Sequence, residues 1–510
     1  MGNNLQTASI HILDDNCLLH VFYLYRSFLL GEYEDADARL MGGEQRWVGE
    51  CWWFALAHVC LRWRNVILGS PFYLGVSLLC IKGTPVADKL VHLPPLPLMI
   101  DHFREFYNIT VEDEERTNLA LKQRDRVRRV CLLVPSLNLK RLIVAMGEEY
   151  PILECLVIAH RTEIEGGSTS LVFPEAFQAP HLRRLVLNGF ALSIGSRLLT
   201  TAVGLVALCL IMDHPSTYFH PNTLLQWLSS MPQLETLTIY FLSAVPNRDV
   251  EGQLMHTPII TPVTLPNFHH LRFRGVGAYL DAVNHRITTP CPEKLEIYFF
   301  NQLTFSVPRL QQFINSTENL RFENARFKFS DERVGLEASP RGEVEMYALS
   351  INVDVRHLDW QVSFVAQISN PLIQVFSEVE HLTLGHVVHC QSSEEHNEVD
   401  LTEWRKLLRP FISAKTIRID NKLVEELSRC LELDDGGLSP KLQELTYFRS
   451  ANGSDAFTSF IDARQNAGLP VTLVRSPSRD FIYIPRERSS MAPSSSRARN
   501  DFDTESGFYT

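Results

Sequence analysis

Apolar residues return along this chain at two spacings, and each spacing announces a different element. In the first stretch, HILDDNCLLHVFYLYRSFLL, the residues Leu18, Val21, Phe22, Tyr25, Phe28 and Leu29 fall on one side of a 3.6-residue repeat. This predicts a helix. Asp14 or Asp15 is placed to cap its first turn, where a carboxylate also suits the positive end of the helix dipole. Leu13, just outside, can close a hydrophobic staple. A second helix is predicted from Trp52 to the Gly69-Ser70-Pro71 stop. Its apolar stripe is Trp53, Leu56, Cys60, Trp63 and Ile67, with Arg62, Arg64 and Asn65 on the wet side. The connection between the two, residues 31–46, is acidic and glycine-bearing and predicts a solvated excursion.

From Tyr73 onwards the spacing changes. A six-residue pattern of apolar, two variable, apolar, one variable, apolar returns from end to end. It reads LPPLPL at Leu93, VRRVCL at Val127, LECLVI at Leu153, LRRLVL at Leu182 and LVALCL at Leu205. It continues as LETLTI at Leu234, FHHLRF at Phe268, PEKLEI at Pro292 and TENLRF at Thr317. VRHLDW at Val355, VEHLTL at Val379, AKTIRI at Ala414 and LQELTY at Leu442 complete it. The copies are about 23 to about 38 residues apart, the range of a stacked array. Helical stretches lie between them: TLLQWLSSM, RLQQFINS, PLIQVFSE, LTEWRKLLRPFI and NKLVEELSRCLEL. One strand and one helix per unit predict an αβ solenoid, in which no unit buries its apolar side alone.

Three stretches interrupt the pattern and are expected as exposed loops: Val245 to Pro266, Ser330 to Glu345, and Cys390 to Asp400. Near the end, AFTSFIDARQNAGLPVTLV predicts a helix, a stop at Gly468 and a final strand that caps the array. The division expected is a helical module over residues 1–71, a solenoid over 72–474, and a disordered Ser/Arg-rich tail over 475–510.

The pair ILDDNCLLHVF and WWFALAHVCLRWRNVI resembles an F-box, of the long-insert kind common in large fungal families. Leu13, Leu18, Val21, Phe22, Leu56, Val59, Cys60, Trp63, Arg64 and Ile67 carry the resemblance. Asp14 stands where the family has proline after the opening leucine, and an insertion before Trp47 lengthens the compact form. The array that follows resembles the leucine-rich repeats of F-box proteins, over about four-fifths of the chain. Their consensus places Asn or Cys three residues after the third apolar position. Arg161, Phe190, Asp213, Leu242, Ala325 and Val387 hold those places, so the internal asparagine ladder is missing.

The resemblance implies an α/β fold, an F-box-like helical module followed by an irregular leucine-rich-repeat solenoid with parallel strands on one side and helices on the other. It also implies the substrate-recognition subunit of an SCF-type cullin–RING ubiquitin ligase. Leu13, Leu18, Val21, Phe22, Leu56, Val59 and Trp63 would dock on a Skp-type adaptor bound to the cullin scaffold. The array would hold a target protein on its concave side, and the chain itself would catalyse nothing. A different class remains open: a repeat scaffold never joined to a ligase, its leading helices a mere cap.

Composition narrows this further. The chain has 510 residues and is 45% hydrophobic and 21% charged, enough for an extensive core. Its net charge of -11 argues against a general nucleic-acid binder. Ten cysteines fall in no regular spacing, several inside apolar runs, as expected of a protein of cytosol or nucleus. MGNNLQTAS lacks the apolar core of a signal peptide, and no apolar run reaches the ~20 residues that span a bilayer. No membrane association is expected. Walker, Rossmann, GxSxG and HExxH signatures are absent, so a hydrolase or transferase has no constellation to stand on. RGVGAYLD reads as a turn after the strand at Phe268. His386, His389 and Cys390 invite a zinc reading but offer no fourth ligand. No metal or cofactor is expected.

The informative surface is the sheet. Side chains alternate along a strand, so the third and fifth positions of each copy face away from the helices. They are partly apolar early (Cys155, Val157, Val186, Cys209) and polar or charged later (Thr238, Arg272, Glu296). Tyr240, Arg272, Arg274, Tyr298 and Arg321 form the expected partner-binding group, since Arg and Tyr anchor interfaces most often.

Overall fold

A computed structural model describes residues 12–30, 52–80, 83–103, 109–161, 171–242, 262–289, 292–300, 307–315, 317, 320–340, 347–387, 400–432, 438–448 and 457–476. The expected excursion at 31–46 and the tail beyond residue 476 lie outside these residues, as do His389 and Cys390.

The chain begins with helix α1 (Asp15–Leu30). Asp14 caps it as the sequence anticipates: its Oδ1 accepts the Cys17 amide at 2.7 Å. The second expected helix is broken in two, α2 (Trp52–Ala57) and α3 (Leu61–Gly69). Cys60 sits between them in extended backbone, and its sulfur accepts the Trp63 amide at 3.5 Å. A residue read as part of the stripe is therefore the cap of a new helix. Pro71 does not end the helical run; it opens the one-turn α4 (Pro71–Leu74), where a missing amide costs nothing. Leu18, Phe22, Trp52, Trp53, Ala57, Val66 and Ile67 form a small core, joined by Leu74, Val76 and Leu96. Phe22 meets Trp63 edge-on at 4.9 Å. Arg62 binds Asp15 at 2.8 Å and the Leu13 carbonyl at 2.6 Å, tying α3 to the start of α1.

Among the described residues after α4, two small two-stranded sheets lie beside one sheet of sixteen strands. In chain order these are β1 (Leu78–Cys80), β2 (Leu98–Phe103), β3 (Val127–Pro135), β4 (Cys155–Arg161), β5 (Arg184–Asn188), β6 (Ala207–Met212), β7 (Thr236–Phe241), β8 (His270–Gly275), β9 (Lys294–Phe299), β10 (Asn324–Ser330), β11 (Val334–Ser339), β12 (Leu349–Val353), β13 (His381–Val387), β14 (Thr416–Ile419), β15 (Glu444–Phe448) and β16 (Thr472–Ser476). At ~4.8 Å per strand the sheet is about 70 Å long. One face buries a continuous core of strand leucines, isoleucines and phenylalanines against helices such as Pro221–Leu228 and Leu401–Leu408. A separate cluster of Cys131, Val157, Val186 and Cys209 lies on the opposite face and contains no helix residue.

Successive units are joined by backbone at the N-terminal ends of the strands. At several strands the residue before the strand offers a carbonyl that accepts two amides of the next unit. Glu154 O takes Arg183 N and Arg184 N at 2.8 and 3.0 Å, and Val206 O takes Glu235 N and Thr236 N at 2.8 and 3.1 Å. The same fork recurs at Glu235, His269, Glu323, Glu380 and Lys415. Polar backbone at the N-terminal ends of these strands is thus satisfied from unit to unit without a side chain.

Ten of the thirteen motif copies carry a strand, and three do not. At Leu93 the prolines 94, 95 and 97 remove the amides a ladder needs, and the strand waits until Leu98. At Thr317, Leu320 and Phe322 are buried but lead into β10, which starts at Asn324. At Val355 the copy opens the helix Leu358–Ser369, because a spacing of three serves a helix entry as well as the motif.

The parallel array is also interrupted. The strand order is β9-β12-β11-β10-β13, with β11 antiparallel to both neighbours. A three-strand meander is therefore inserted in reverse. Its middle strand lies in residues 330–345, expected as a loop; Gly335, Ala338 and Ser339 are buried there and blur the apolar alternation. Gln361 fastens the insert, its Nε2 donating to the Ser330 carbonyl at 2.7 Å and the Val355 carbonyl at 2.6 Å. Two further expectations are corrected. Val263–Thr264, inside an expected loop, pairs parallel with Ile287–Thr288. RGVGAYLD is the end of β8 and the start of the helix Gly277–Asn284. The terminal helix Thr458–Asn466, the stop at Gly468 (φ 75°) and β16 are as expected.

Candidate functional site

Two surfaces were expected, one on the leading helices and one on the sheet, and the structure redraws both. Of the seven adaptor residues, Leu18 and Phe22 are 0% and 1% exposed, so they hold the module together and present nothing outward. Leu13, Leu56 and Trp63 are half-buried against the same core. Only Val21 and Val59 are exposed. A different stripe faces outward, turned about a quarter of the way around α1. Val21, Leu24, Tyr25 and Phe28 recur at steps of three, one and three, and Phe28 is 82% exposed. Phe54 on α2, Val59 and Leu61 add further exposed apolar surface in the same small module. The second stripe is visible in the sequence; α1 carries more apolar positions than one buried face uses.

On the sheet, ladder registry sets rows of side chains on the helix-free face. One row runs Asp101, Cys131, Val157, Val186, Cys209, Thr238, Arg272, Glu296, Ser350 and Glu337 across ten strands. Tyr240, Arg274 and Tyr298 are successive neighbours in the next row. Tyr240, Arg272, Arg274 and Tyr298 are therefore brought together. Arg321 is not: it precedes β10, is exposed, and lies 3.9 Å from Glu378. Tyr240 is also largely covered, and burial pushes its phenol well above the usual range.

The hub of this group is a residue left out of it. Glu296 lies 2.6 Å from Lys294 Nζ, 3.2 Å from Arg272 Nε and 3.4 Å from His270 Nε2. Burial raises its carboxyl, and the His270 hydrogen bond with the Arg272 and Lys294 charges overrides that, bringing it down to about 2. Arg274 lies 3.7 Å from Asp354 and over the Phe300 ring at 5.6 Å.

A third cluster sits at the strand C-terminal ends. His160 Nε2 lies 2.5 Å from Asp213 Oδ2, and both side chains are buried. Ser136 Oγ approaches His160 Nδ1 at 3.5 Å. Gly189, at φ 79°, sits beneath the imidazole; a Cβ there would stand 2.0 Å from Nε2. With the imidazole enclosed and its ring held on Asp213, this arrangement serves as a latch between β4 and β6. Each partner closes an apolar strand run, the signal that sequence reading passed over.

Glu323, Glu380 and His381 lie close enough to share a cation. Glu380 already binds Lys415 at 2.7 Å, and His381 Nδ1 lies 2.8 Å from Thr416 Oγ1. His386, the described member of the zinc reading, is buried on β13. No described helix is long and apolar enough to cross a membrane.

No family profile matches the chain, and no curated protein matches it. Among solved structures the chain is similar to a leucine-rich repeat-containing protein, LegL7, from Legionella pneumophila. The two share 10% identity over 66% of this chain and 97% of that one, with a TM-score of 0.24. A superposition so loose carries no weight for fold or function.

Proposed function

We propose that this protein is a non-catalytic substrate receptor of an SCF-type cullin–RING ubiquitin ligase, working in the cytosol or nucleus. The leading module grips a Skp-type adaptor, and the helix-free face of the sheet holds the protein to be modified. The observation that carries the reading is the exposed ridge of Val21, Leu24, Tyr25 and Phe28 on a module with its own core. Apolar side chains this exposed, recurring on one helix, are what a partner helix packs against. A stable interface of this kind buries ~1,200–2,000 Å². Catalysis is then proximity supplied to other subunits.

The test is reconstitution with a purified Skp-type adaptor and the full chain. The reading expects a complex on gel filtration that is lost in the Leu24→Asp/Phe28→Asp double variant. No complex with the unaltered chain would leave a repeat scaffold with a helical cap in place of a ligase subunit.

A further inference from the structure

We propose that Ser136 is an activated nucleophile, a modification site that takes a short acyl group from a reactive ester outside the protein. It is independent of the receptor reading: there the chain catalyses nothing on its target, and here one of its own side chains is the acceptor. Three residues far apart in the sequence converge at the strand C-terminal ends. Ser136 follows β3, His160 lies near the end of β4, and Asp213 follows β6. β5 stands between β4 and β6, and Gly189 just past it has no side chain to keep the imidazole from reaching across.

The contacts set the chemistry. Asp213 Oδ2 lies 2.5 Å from His160 Nε2 and, as a carboxylate, can only accept, so Nε2 carries the proton. Burial works against the charge on Asp213, and the His160 hydrogen bond and charge outweigh it, keeping the carboxyl below its usual range. Nδ1 is then the unprotonated nitrogen, and it faces Ser136 Oγ at 3.5 Å. Nucleophile, base and orienting carboxylate stand in line, the relation that activates a serine hydroxyl. A latch alone needs only His160 and Asp213; it leaves the serine on the free nitrogen unexplained.

Ser136 also opens the nine-residue helix Ser136–Val144. The cap position holds Pro135 and makes no side-chain hydrogen bond, and the amides of the first turn have no carbonyl within the helix to meet. Those amides and the positive end of the helix dipole lie on the serine's own turn, where an acyl oxygen gains negative charge during attack. Of the three side chains only Ser136 is half-exposed; His160 and Asp213 are 4% and 8% exposed, so the base is screened from water. Leu137, 66% exposed, is the neighbouring apolar surface and suits a short apolar acyl group over a charged one. In the step itself Ser136 Oγ bonds to the acyl carbon and its proton passes to Nδ1. The carbonyl electron pair moves onto oxygen and returns as the bond to the leaving group breaks. The leaving alcohol takes the proton from Nδ1, and the products are an ester on Ser136 and a free alcohol.

The experiment treats the full chain with p-nitrophenyl acetate and follows acetylation serine by serine by peptide mass mapping. Ser229, exposed at a helix end with its Oγ donating to the Gln226 carbonyl at 2.7 Å, is the internal reference. Ser136 should acetylate about 100-fold faster than Ser229, the size of a general-base contribution. In urea the two rates should become alike. His160→Gln keeps a donor toward Asp213 and removes the base, so the excess should vanish while circular dichroism shows the chain still folded. Equal rates at Ser136 and Ser229 in the native chain, or an excess that survives His160→Gln, would overturn the proposal. Adaptor binding has no bearing on either outcome.

Discussion

Gly189→Ala is the sharpest perturbation the sheet allows. The residue sits at φ 79°, where an L side chain costs ~1–2 kcal/mol. The new methyl would also stand 2.0 Å from His160 Nε2 and 3.2 Å from Asp213 Oδ1, so the ring must leave. The lost hydrogen bond joins a buried charged group and contributes about 1.5–3 kcal/mol. Among the described residues Asp213 Oδ1 has no hydrogen-bond partner, and the displaced ring would strand the second oxygen too. Together these give a destabilisation of about 3–5 kcal/mol. Gly468→Ala is the control: its φ is 75° with no described residue within 4 Å of the added carbon, so the backbone cost of ~1–2 kcal/mol applies. Urea unfolding followed by circular dichroism and by the buried Trp227 and Trp404 would measure both. Equal losses for the two variants would refute the latch.

Other expectations follow from single contacts. Glu296 is held at about 2 against an ordinary 4.5, so its contribution is present above pH ~4.5 and lost as pH falls towards 2. That difference is on the order of 3 kcal/mol, and acid titration of Glu296→Gln should show a correspondingly flatter stability profile over that window. The Asp213 carboxyl, raised by burial but lowered more by the His160 hydrogen bond and charge, acts in the same direction. Gln361→Leu leaves the Ser330 and Val355 carbonyls without their donor and should cost ~1–3 kcal/mol. Hydrogen exchange should rise first in β10 to β12, and uniform exchange would speak against a local clamp. Phe22→Ala should cost ~3–5 kcal/mol, whereas Phe28→Ala should leave the melting temperature unmoved.

The repeating strand was legible because its period is short and its inward positions are nearly all Leu, Ile or Phe. The two leading helices were legible for the same reason, and so was the cap on Asp14. What misled was ambiguity in spacing. Val355 and Leu358 fit strand motif and helix entry alike, and β11 is buried with Gly335, Ala338 and Ser339, which no hydrophobic count registers. Cys60 matched the helical stripe while serving as a cap. For the proposed docking surface, periodicity identified apolar positions on α1 but could not say which stripe the rest of the module covers. Leu18 and Phe22 went inward because Trp63 and Ile67 meet them; Leu24 and Phe28 were left outside. On the sheet, Arg321 was grouped with Arg272 only because its motif copy was assumed to be a strand.

Calorimetric titration of a Skp-type adaptor into the full chain, beside Phe28→Asp, weighs the division of labour most directly. Loss of a central apolar anchor is worth ~2–4 kcal/mol, so affinity should drop about 30- to 1,000-fold while the melting temperature stays the same. Heat signals of equal affinity for both proteins, or none for either, would contradict the claim that the outward stripe of the first helix is the grip.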